Sequence, residues 1–389
     1  MEPSRSVFNP KRLREARIVR GLTISQLSEQ IGVSKQAISQ FELGDAIPKA
    51  ENMMALVSVL KFPKTYFFTQ HNQQLVGNTF FRARASMTKK NRDVQLVKAD
   101  WVAQIHSYLE DYVDFPKLNF PDLAMFDGVE WESCNIESLA NYVRNHWGLG
   151  SAPISNVPAL LEKNGIIVSS MDVGNETIDA FCQPRQGQKP IIMLSNDKQS
   201  AARRHFDGAH ELGHLLMHKD EVDNQSNMTR EEFVRMESQA DRFASAFLLP
   251  AEPFKRTITS ISLEYFIELK KYWRVSMSAM IRRCKDLGII SEMKYTSLHK
   301  QMSMKKYKKK EPLDDVIPLS EPVVLQKAVQ LILENNIKSE LQIVQEIGLP
   351  ANFIESLANL PPESLSRKEI EPAVTLKSQP IISDYNWSN

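Results

Sequence analysis

The sequence has few cysteines and no pattern that would pair or cluster them. Its 389 residues include only Cys134, Cys182 and Cys284, and none of these belongs to a Cys-x-x-Cys pair. An odd number of isolated cysteines does not build a disulfide framework, and this usage is typical of a reducing compartment. We therefore expect a cytoplasmic protein without structural disulfides.

Long apolar runs and an export signal are also missing. No stretch approaches the roughly 20 apolar residues that span a bilayer, and the first residues lack the apolar core of a signal peptide. Hydrophobic residues make up 42% of the sequence, charged residues 24%, and the formal net charge is +1. This composition predicts a globular protein that does not bind membranes, with two or three domains for its length.

Residues 9 to 68 show the apolar periodicity of several short helices. Thr23 followed by Gln26 forms a capping-box pattern at the start of the second helix, and Ser34 is placed to cap a third helix over residues 35–42. Gly32 lies in the tight turn between these two helices. A short helix, a turn containing glycine and a second short helix predict a helix-turn-helix.

The predicted third helix has one apolar face and one polar face. Lys and Gln side chains can read guanine and adenine edges, and Ser can bind bases or phosphates. Residues 1–70 contain ten Lys and Arg against six Asp and Glu, which favours contact with a phosphate backbone. We predict binding to a double-stranded DNA operator, and the candidate contact residues are Thr23, Ser34, Lys35, Gln36, Ser39 and Gln40.

This segment resembles the lambda-repressor-like (XRE) helix-turn-helix over about 60 residues, which implies a DNA-binding domain. Phe41 stands where Trp or Tyr is more usual, and a helical bundle used only for protein contacts is the alternative, since some relatives act as dimerisers. The matching pattern is Leu22-Thr23-x-x-x-Leu27-x-x-x-x-Gly32-Val33-Ser34-x-x-x-Ile38-Ser39-x-Phe41-Glu42-x-Gly44.

The stretch from His210 to His214 has the pattern H-E-x-x-H. On a helix, positions i and i+4 share a face, so both imidazoles can bind one metal ion. Glu211 would lie beside the metal, where its carboxylate can take a proton from a metal-bound water. An amphipathic helix with two surface histidines is the alternative, but the small and apolar neighbours of the motif predict a packed helix.

A third ligand is expected from the next helical pattern, Thr229 to Leu249. Glu237 and Asp241 are again i and i+4, so Glu237 can bind the metal while Asp241 accepts the outer N–H of a ligand imidazole. Glu231 and Glu232 are weaker candidates because they lie at the helix entry. Zinc (Zn2+) is the default for such ligands, and manganese (Mn2+) also suits a mixed nitrogen and oxygen site.

Two short β-type runs, 177–182 and 190–194, precede the metal helix and are joined by a polar turn. The edge of this hairpin could hold an extended substrate peptide as an added strand, or the hairpin could simply support the metal helix. A closed structural metal site is a further alternative, and it would need a fourth ligand such as His218 or Cys182.

Residues from roughly 135 to 290 resemble the ImmA/IrrE metallopeptidase family. The resemblance implies His210, His214 and Glu237 as metal ligands, Glu211 as the catalytic base, and a helix-turn-helix repressor as the protein substrate. His205 departs from the family, which usually has Arg there. The matching residues are Phe206, Ala209-His210-Glu211-Leu212-Gly213-His214-Leu215-Leu216, His218, Glu237, Ala240-Asp241, Phe243-Ala244, Leu248-Leu249 and Pro250.

Together these patterns predict an α+β, mostly helical chain in which an all-α helix-turn-helix domain precedes a zincin-like metallopeptidase domain with a small β-sheet. It resembles the fused XRE and ImmA/IrrE regulators of bacteria, phages and mobile elements. The alternative is a DNA-binding repressor or antitoxin whose peptidase-like domain is a non-catalytic sensor or partner-binding module. A homodimer is left open, since helix-turn-helix proteins often dimerise on palindromes. The predicted regions are 1–70 (helix-turn-helix), 71–134 (linker and helical connector), 135–290 (metallopeptidase) and 291–389 (basic linker and a helical, partly disordered end).

Overall fold

The computed structural model describes residues 7–69, 80–81, 88–172, 179–185, 187–196, 199–218 and 228–366. The described chain is mostly helical with one small sheet, which confirms the predicted fold class. The helices, in chain order, are α1 (Pro10–Val19), α2 (Ile24–Ile31), α3 (Lys35–Leu43), α4 (Ala50–Leu60), α5 (Lys89–Glu110), α6 (Ser133–His146), α7 (Val157–Lys163), α8 (Ala201–Met217), α9 (Arg230–Leu248), α10 (Ala251–Thr257), α11 (Leu263–Trp273), α12 (Met277–Asp286), α13 (Glu292–Met304), α14 (Val324–Glu334), α15 (Glu340–Ile347) and α16 (Ala351–Leu357).

Four short strands form the sheet, in the order β1-β3-β4-β2. The predicted hairpin is confirmed as the antiparallel pair β3-β4, in which Cys182 lies opposite Ile192. Strand β2 runs parallel to β4 on the far side, and β1 runs antiparallel to β3. The strands are β1 (Phe80–Phe81), β2 (Ile167–Met171), β3 (Ala180–Gln183) and β4 (Ile191–Ser195).

The sheet separates two apolar cores. Successive side chains of a strand point to opposite faces, and strands β2, β3 and β4 are buried at every position. Cys182 and Ile192 face a core that contains the apolar residues of α8 and α9, whereas Phe181 and Ile191 face a core shared with α5 and the helix-turn-helix. The sheet therefore supports the H-E-x-x-H helix on one side and the amino-terminal domain on the other.

The helix-turn-helix packs against the rest of the protein through α5 and the carboxy-terminal helices. The Trp101 ring on α5 meets Phe353 on α16 with centroids 4.9 Å apart, and Phe62 stacks on Phe353 at 5.6 Å. Arg12 on α1 donates to Gln104 on α5 at 2.9 Å, and Gln104 in turn donates to the carbonyl of Ile347 at 2.6 Å. The helix-turn-helix domain at the amino terminus (the front domain) thus shares its core with α5 and with the carboxy-terminal helices.

The helix boundaries follow the capping signals in the sequence. Thr23 accepts the N–H of Gln26 while the Gln26 side chain accepts the N–H of Thr23, and this reciprocal pair confirms the predicted capping box. Ser34 accepts the N–H of Ala37 at 3.1 Å and begins α3 as predicted. Thr229 begins α9 with a second capping box. These local bonds satisfy helix N–H groups that have no partner inside the helix.

The basic run 305–310 belongs to the region predicted as a basic linker, and most of its side chains are exposed. It forms consecutive turns after α13. Arg203 on α8 donates to the carbonyls of Lys308 and Lys309 at 3.1 and 3.3 Å, and Lys305 pairs with Glu264 on α11 at 2.9 Å. These tertiary contacts fix a segment whose charge pattern alone resembles a solvated tail.

The predicted region boundaries near residues 70, 134 and 290 remain predictions. The core that α5 shares with the helix-turn-helix includes residues from all four predicted regions. Parts of the predicted linker (70–79 and 82–87), of the first β-type run (177–178) and of the carboxy-terminal end (367–389) lie outside the described residues. Within the described chain, no helix combines the length and apolar character needed to cross a membrane.

Candidate metal centre and DNA-contacting helix

Helix α8 buries the H-E-x-x-H motif completely. His210 and Glu211 are 0% exposed and His214 is 1% exposed. Gly213 lies where α9 crosses α8, and a Cβ at this position would be 3.1 Å from the Phe243 ring. The glycine therefore allows the two helices to approach closely. Because both histidines are buried, the alternative of a helix with two surface histidines is excluded.

Helix α9 brings a carboxylate to the two imidazoles. The Nε2 atoms of His210 and His214 are 3.0 Å apart. Oε1 of Glu237 lies 3.2 Å from Nε2 of His214, and Oε2 of Glu237 lies 3.6 Å from Nε2 of His210. Three donor atoms from two helices thus meet at one point, and all lie within 4.8 Å of one another.

This donor set fits a single divalent ion. Donors around a tetrahedral ion with bonds of about 2.0–2.1 Å are separated by roughly 3.3 Å, and the observed separations of 3.0, 3.2 and 3.6 Å bracket that value. Two imidazole nitrogens and one carboxylate oxygen are ligands that zinc commonly takes in sites with an open fourth position. The predicted ligand roles of His210, His214 and Glu237 remain a proposal that this geometry supports.

The two imidazoles have different partners on their outer nitrogens. Nδ1 of His210 donates to Oδ1 of Asp241 at 2.8 Å, and the Asp241 side chain is 50% exposed. Nδ1 of His214 faces Nδ1 of His218 at 3.0 Å inside the protein. Asp241 therefore lies where the sequence predicts a partner for a ligand imidazole, and such a bond fixes which ring nitrogen faces the metal.

Glu211 is fully buried on α8, next in sequence to His210, and α8 packs against strand β3. The Cys182 thiol on β3 lies near the Glu211 carboxylate, and burial, followed by the negative charge of this carboxylate, raises the pKa of that thiol well above its usual range. Cys182 therefore lies near the predicted base and is not among the grouped metal donors of the described chain.

His218 also lies outside the donor group. Its Nδ1 faces His214, and its Nε2 meets Oε1 of Gln239 at 2.9 Å. Burial, followed by the nearby His214, lowers the pKa of His218 to about 3. Neither of the two fourth-ligand candidates, His218 and Cys182, therefore belongs to the group of donors found in the described residues, so the geometry does not support a closed structural site.

The two weaker ligand candidates are placed elsewhere. Glu231 is exposed at the start of α9. Glu232 accepts the N–H and the hydroxyl of Thr229 at 2.8 and 2.9 Å, and these bonds lower the pKa of its carboxyl group. Both carboxylates lie in the first turn of α9, where negative charge interacts favourably with the positive end of the helix dipole.

His205 stands where the family usually has Arg, so the sequence did not show how the start of α8 is anchored. Contacts of His205 and Arg204 supply this anchor. Nε2 of His205 lies 3.0 Å from the Ser320 hydroxyl, and Arg204 pairs with Glu321. Burial, together with the charges of Arg274 and Arg204, lowers the pKa of His205 to about 4. A segment far along the chain therefore holds the first turn of the metal helix.

The candidate DNA-contacting residues lie on α3 and at the starts of α2 and α3, where the sequence predicts them. Lys35, Gln36 and Gln40 are exposed on α3, and Ser39 is half-buried. The hydroxyls of Thr23 and Ser34 cap α2 and α3, so these two residues fix the helix starts. Residues near the amino end of a second helix commonly meet base edges in this type of domain.

The substrate-holding edge suggested by the hairpin needs a correction. Strand β3 is not open on its outer side, because β1 pairs there, with Phe80 opposite Cys182 and Phe81 opposite Phe181. A residue that the sequence interpretation missed is Gln239, which contacts His218 and donates to the carbonyl of Trp131 at 3.0 Å. Its position between Glu237 and Asp241 in one helical turn was the available signal.

Comparisons with known proteins agree with the two-part organisation. Residues 161–285 match the model of a peptidase family described as the IrrE N-terminal-like domain. Residues 11–73 match a model described as a helix-turn-helix domain. No curated protein matches the chain.

A solved structure described as a Mycobacterium tuberculosis transcriptional regulator is similar to this chain at 17% identity with a TM-score of 0.28. The match covers 48% of this chain and about half of that one, 50%. A TM-score this low supports no argument about fold or function. The two family matches show that this chain joins an XRE-like helix-turn-helix domain to an IrrE/ImmA-like domain.

Proposed function

We propose that this protein is a DNA-bound regulator whose IrrE-like domain is a zinc-type endopeptidase that cleaves a protein, with a helix-turn-helix repressor as the expected substrate. The observation that carries the proposal is the meeting of His210, His214 and Glu237 at one point, with Glu211 buried directly beside them. Cleavage of a repressor would switch the genes that it controls.

The chemistry follows from the placement of these side chains. His210, His214 and Glu237 would hold a divalent ion, and such an ion would supply Lewis acidity that lowers the pKa of a bound water and polarises a peptide carbonyl. Glu211 follows His210 directly on α8, so its carboxylate can accept a proton from the attacking water and return it to the leaving amine. Asp241 holds the His210 ring with Nε2 facing the cluster.

Zinc is proposed because two imidazoles and one carboxylate are its usual ligands at hydrolytic sites, and manganese also suits this mixed set. A substrate that adds as a strand beside β3 has to displace β1 or bind next to it, since β1 occupies that edge. We also propose that the protein acts as a homodimer on its operator, as helix-turn-helix proteins often do when the operator is palindromic.

The test compares wild type with Glu211→Gln in cells by mapping new protein amino termini across the proteome. The variant keeps the size of the side chain and all three proposed ligands, so metal content and DNA affinity should not change. General-base assistance is worth about 10²–10⁴-fold in rate, and cleavage of the target should fall by that factor.

Glu231→Gln is the matched control, since it makes the same change at an exposed site on α9. It should cleave like wild type. If wild type and Glu211→Gln yield the same set of protein termini, the peptidase proposal is wrong. The IrrE-like domain would then be a sensor or partner-binding module, which is the alternative function for this chain.

A further inference from the structure

The outer nitrogen of His214 meets another imidazole, whereas the outer nitrogen of His210 meets a carboxylate. Nδ1 of His214 lies 3.0 Å from Nδ1 of His218, and both rings are buried. Nε2 of His218 lies 2.9 Å from Oε1 of Gln239, and Nε2 of Gln239 lies 3.0 Å from the carbonyl oxygen of Trp131. Four groups thus form one chain of hydrogen bonds that begins at a proposed ligand and ends on the backbone.

The backbone carbonyl sets the direction of every bond in this chain. A carbonyl oxygen only accepts, so the amide nitrogen of Gln239 points to Trp131 and the amide oxygen points to His218. That oxygen accepts from Nε2–H of His218, which leaves Nδ1 of the neutral His218 ring as an acceptor. Nδ1 of His214 is then the donor.

The consequence falls on the inner nitrogen of His214. A neutral imidazole carries one proton, so a ring that donates from Nδ1 has a bare Nε2. This Nε2 lies 3.2 Å from Glu237 and 3.0 Å from Nε2 of His210. The chain of bonds therefore leaves the lone pair of His214 directed at the point where the three donors meet.

We propose that His218 and Gln239 are positioning residues that fix the metal-binding tautomer of His214, with the carbonyl of Trp131 as their anchor. This proposal rests on the proposed metal site. It gives the two ligand imidazoles different supports: His210 is held by a half-exposed carboxylate, and His214 is held by a buried neutral relay. The relay also links α8 and α9 to the loop before α6, because Trp131 lies there.

The two bonds of His218 can be removed separately. In His218→Phe, an aromatic ring still fills the site, but both hydrogen bonds of the imidazole are lost. In His218→Asn, the amide oxygen can replace Nδ1 as the acceptor for His214, while the bond to Gln239 is lost. Gln239→Leu removes the anchor alone. Ser238→Ala is the matched control on the same helix, since Ser238 is exposed beside Gln239.

Two measurements on the full-length chain test the relay. The first is Zn2+ affinity by competition with a chelator. Loss of a group that holds a ligand imidazole typically costs about 10–100-fold in metal affinity, and His218→Phe should show a loss of this size. His218→Asn should recover most of it, Gln239→Leu should lose less than His218→Phe, and Ser238→Ala should match wild type.

The second measurement is the ¹⁵N NMR shift of the imidazole nitrogens in metal-free protein, with His214 assigned through His214→Gln. Wild type should carry the His214 proton on Nδ1, and His218→Phe should shift it towards a mixture of tautomers. A His214 proton on Nε2 in wild type, or equal Zn2+ affinity in His218→Phe and wild type, would overturn the relay. If wild type binds no metal, the proposed metal site fails, and the tautomer measurement still decides the relay separately.

Discussion

Helices α3 and α8 both carry polar side chains in a helical pattern, but α3 presents them to solvent and α8 buries them. Lys35, Gln36 and Gln40 of α3 are exposed and need only the helix to be placed. His210 and His214 of α8 are buried and become a donor set only with Glu237 of α9. One surface is complete within its own short domain, whereas the other depends on packing between distant parts of the chain.

The difference predicts that substitutions have different consequences in the two regions. A buried polar group that loses its partner costs about 1–3 kcal/mol, whereas surface substitutions away from special contacts usually stay within about 0.5 kcal/mol. Changes in α8 should therefore alter metal binding and stability together. Changes on the exposed face of α3 should alter only DNA recognition.

The largest effect is expected from removing one proposed ligand. His214→Ala should leave only two of the three donors, so purified protein should lose the single metal ion that wild type carries. Elemental analysis of the purified proteins measures this directly, and His210→Ala should behave in the same way. Unchanged metal content in both variants would rule out the site, and DNA binding by each variant serves as the control for folding.

Acid should destabilise the fold around α8, because the buried His205 of this helix becomes protonated more readily in the unfolded chain. The folded-state pKa of His205 is lowered to about 4, against about 6.5 in an unfolded chain. The unfolded state therefore binds more protons between these values, so the His205 contribution is present above pH 6.5 and is lost as the pH falls towards 4. The shift corresponds to roughly 3 kcal/mol.

His205→Gln keeps a polar atom near Ser320 and removes the titrating ring. Chemical denaturation at several pH values should show a smaller loss of stability between pH 6.5 and 4 in this variant than in wild type. His146→Gln, which changes an exposed histidine on α6, should follow wild type. Parallel curves for His205→Gln and wild type would contradict the assignment.

A smaller effect is expected at the half-exposed support of His210. Asp241→Asn keeps the shape of the side chain but weakens the bond to Nδ1 of His210, and the loss of such a partner costs about 10–100-fold in metal affinity or activity. Titration with Zn2+ against a chelator measures the change. Glu231→Gln is the control, and a Zn2+ affinity of Asp241→Asn equal to that of the control would show that Asp241 does not support the ligand.

Substitutions on α3 are expected to have the smallest effect on folding stability and metal content. Gln36→Ala or Gln40→Ala should cost about 1–3 kcal/mol at a single base pair and relax the preference there, without loss of folding stability or metal. Binding to a library of operator variants at fixed salt measures this, with Gln301→Ala on α13 as a control outside the helix-turn-helix. If residues 7–69 make no salt-dependent contact with DNA in the full chain, the front domain is a protein-contact module.

Local signals predicted several features that the structure confirms. The predicted capping residues Thr23 and Ser34 are correct because a cap depends only on the next three residues of the chain. The i and i+4 spacing of His210 and His214 also follows from helix geometry alone. The two β-type runs and the polar turn between them likewise predicted the β3-β4 hairpin without knowledge of its neighbours.

Other features have no local signal. The charge pattern of the basic run 305–310 does not reveal that Arg203 and Glu264 contact it. The open edge expected at β3 is covered by β1, which comes from about 100 residues earlier in the chain. Such pairings join residues that are far apart in sequence, and the pattern on either segment does not reveal the partner.

By itself the sequence determined which residues can do chemistry: a helix with two histidines on one face, a carboxylate beside them, and a short helix with an exposed polar face. Only the tertiary structure decided that Glu237 meets both histidines, that His218 meets the outer nitrogen of His214, and that the sheet lies between the two cores. The reason is physical. Helix periodicity and caps are set by neighbours within a turn or two, whereas a metal centre depends on how closely two helices pack.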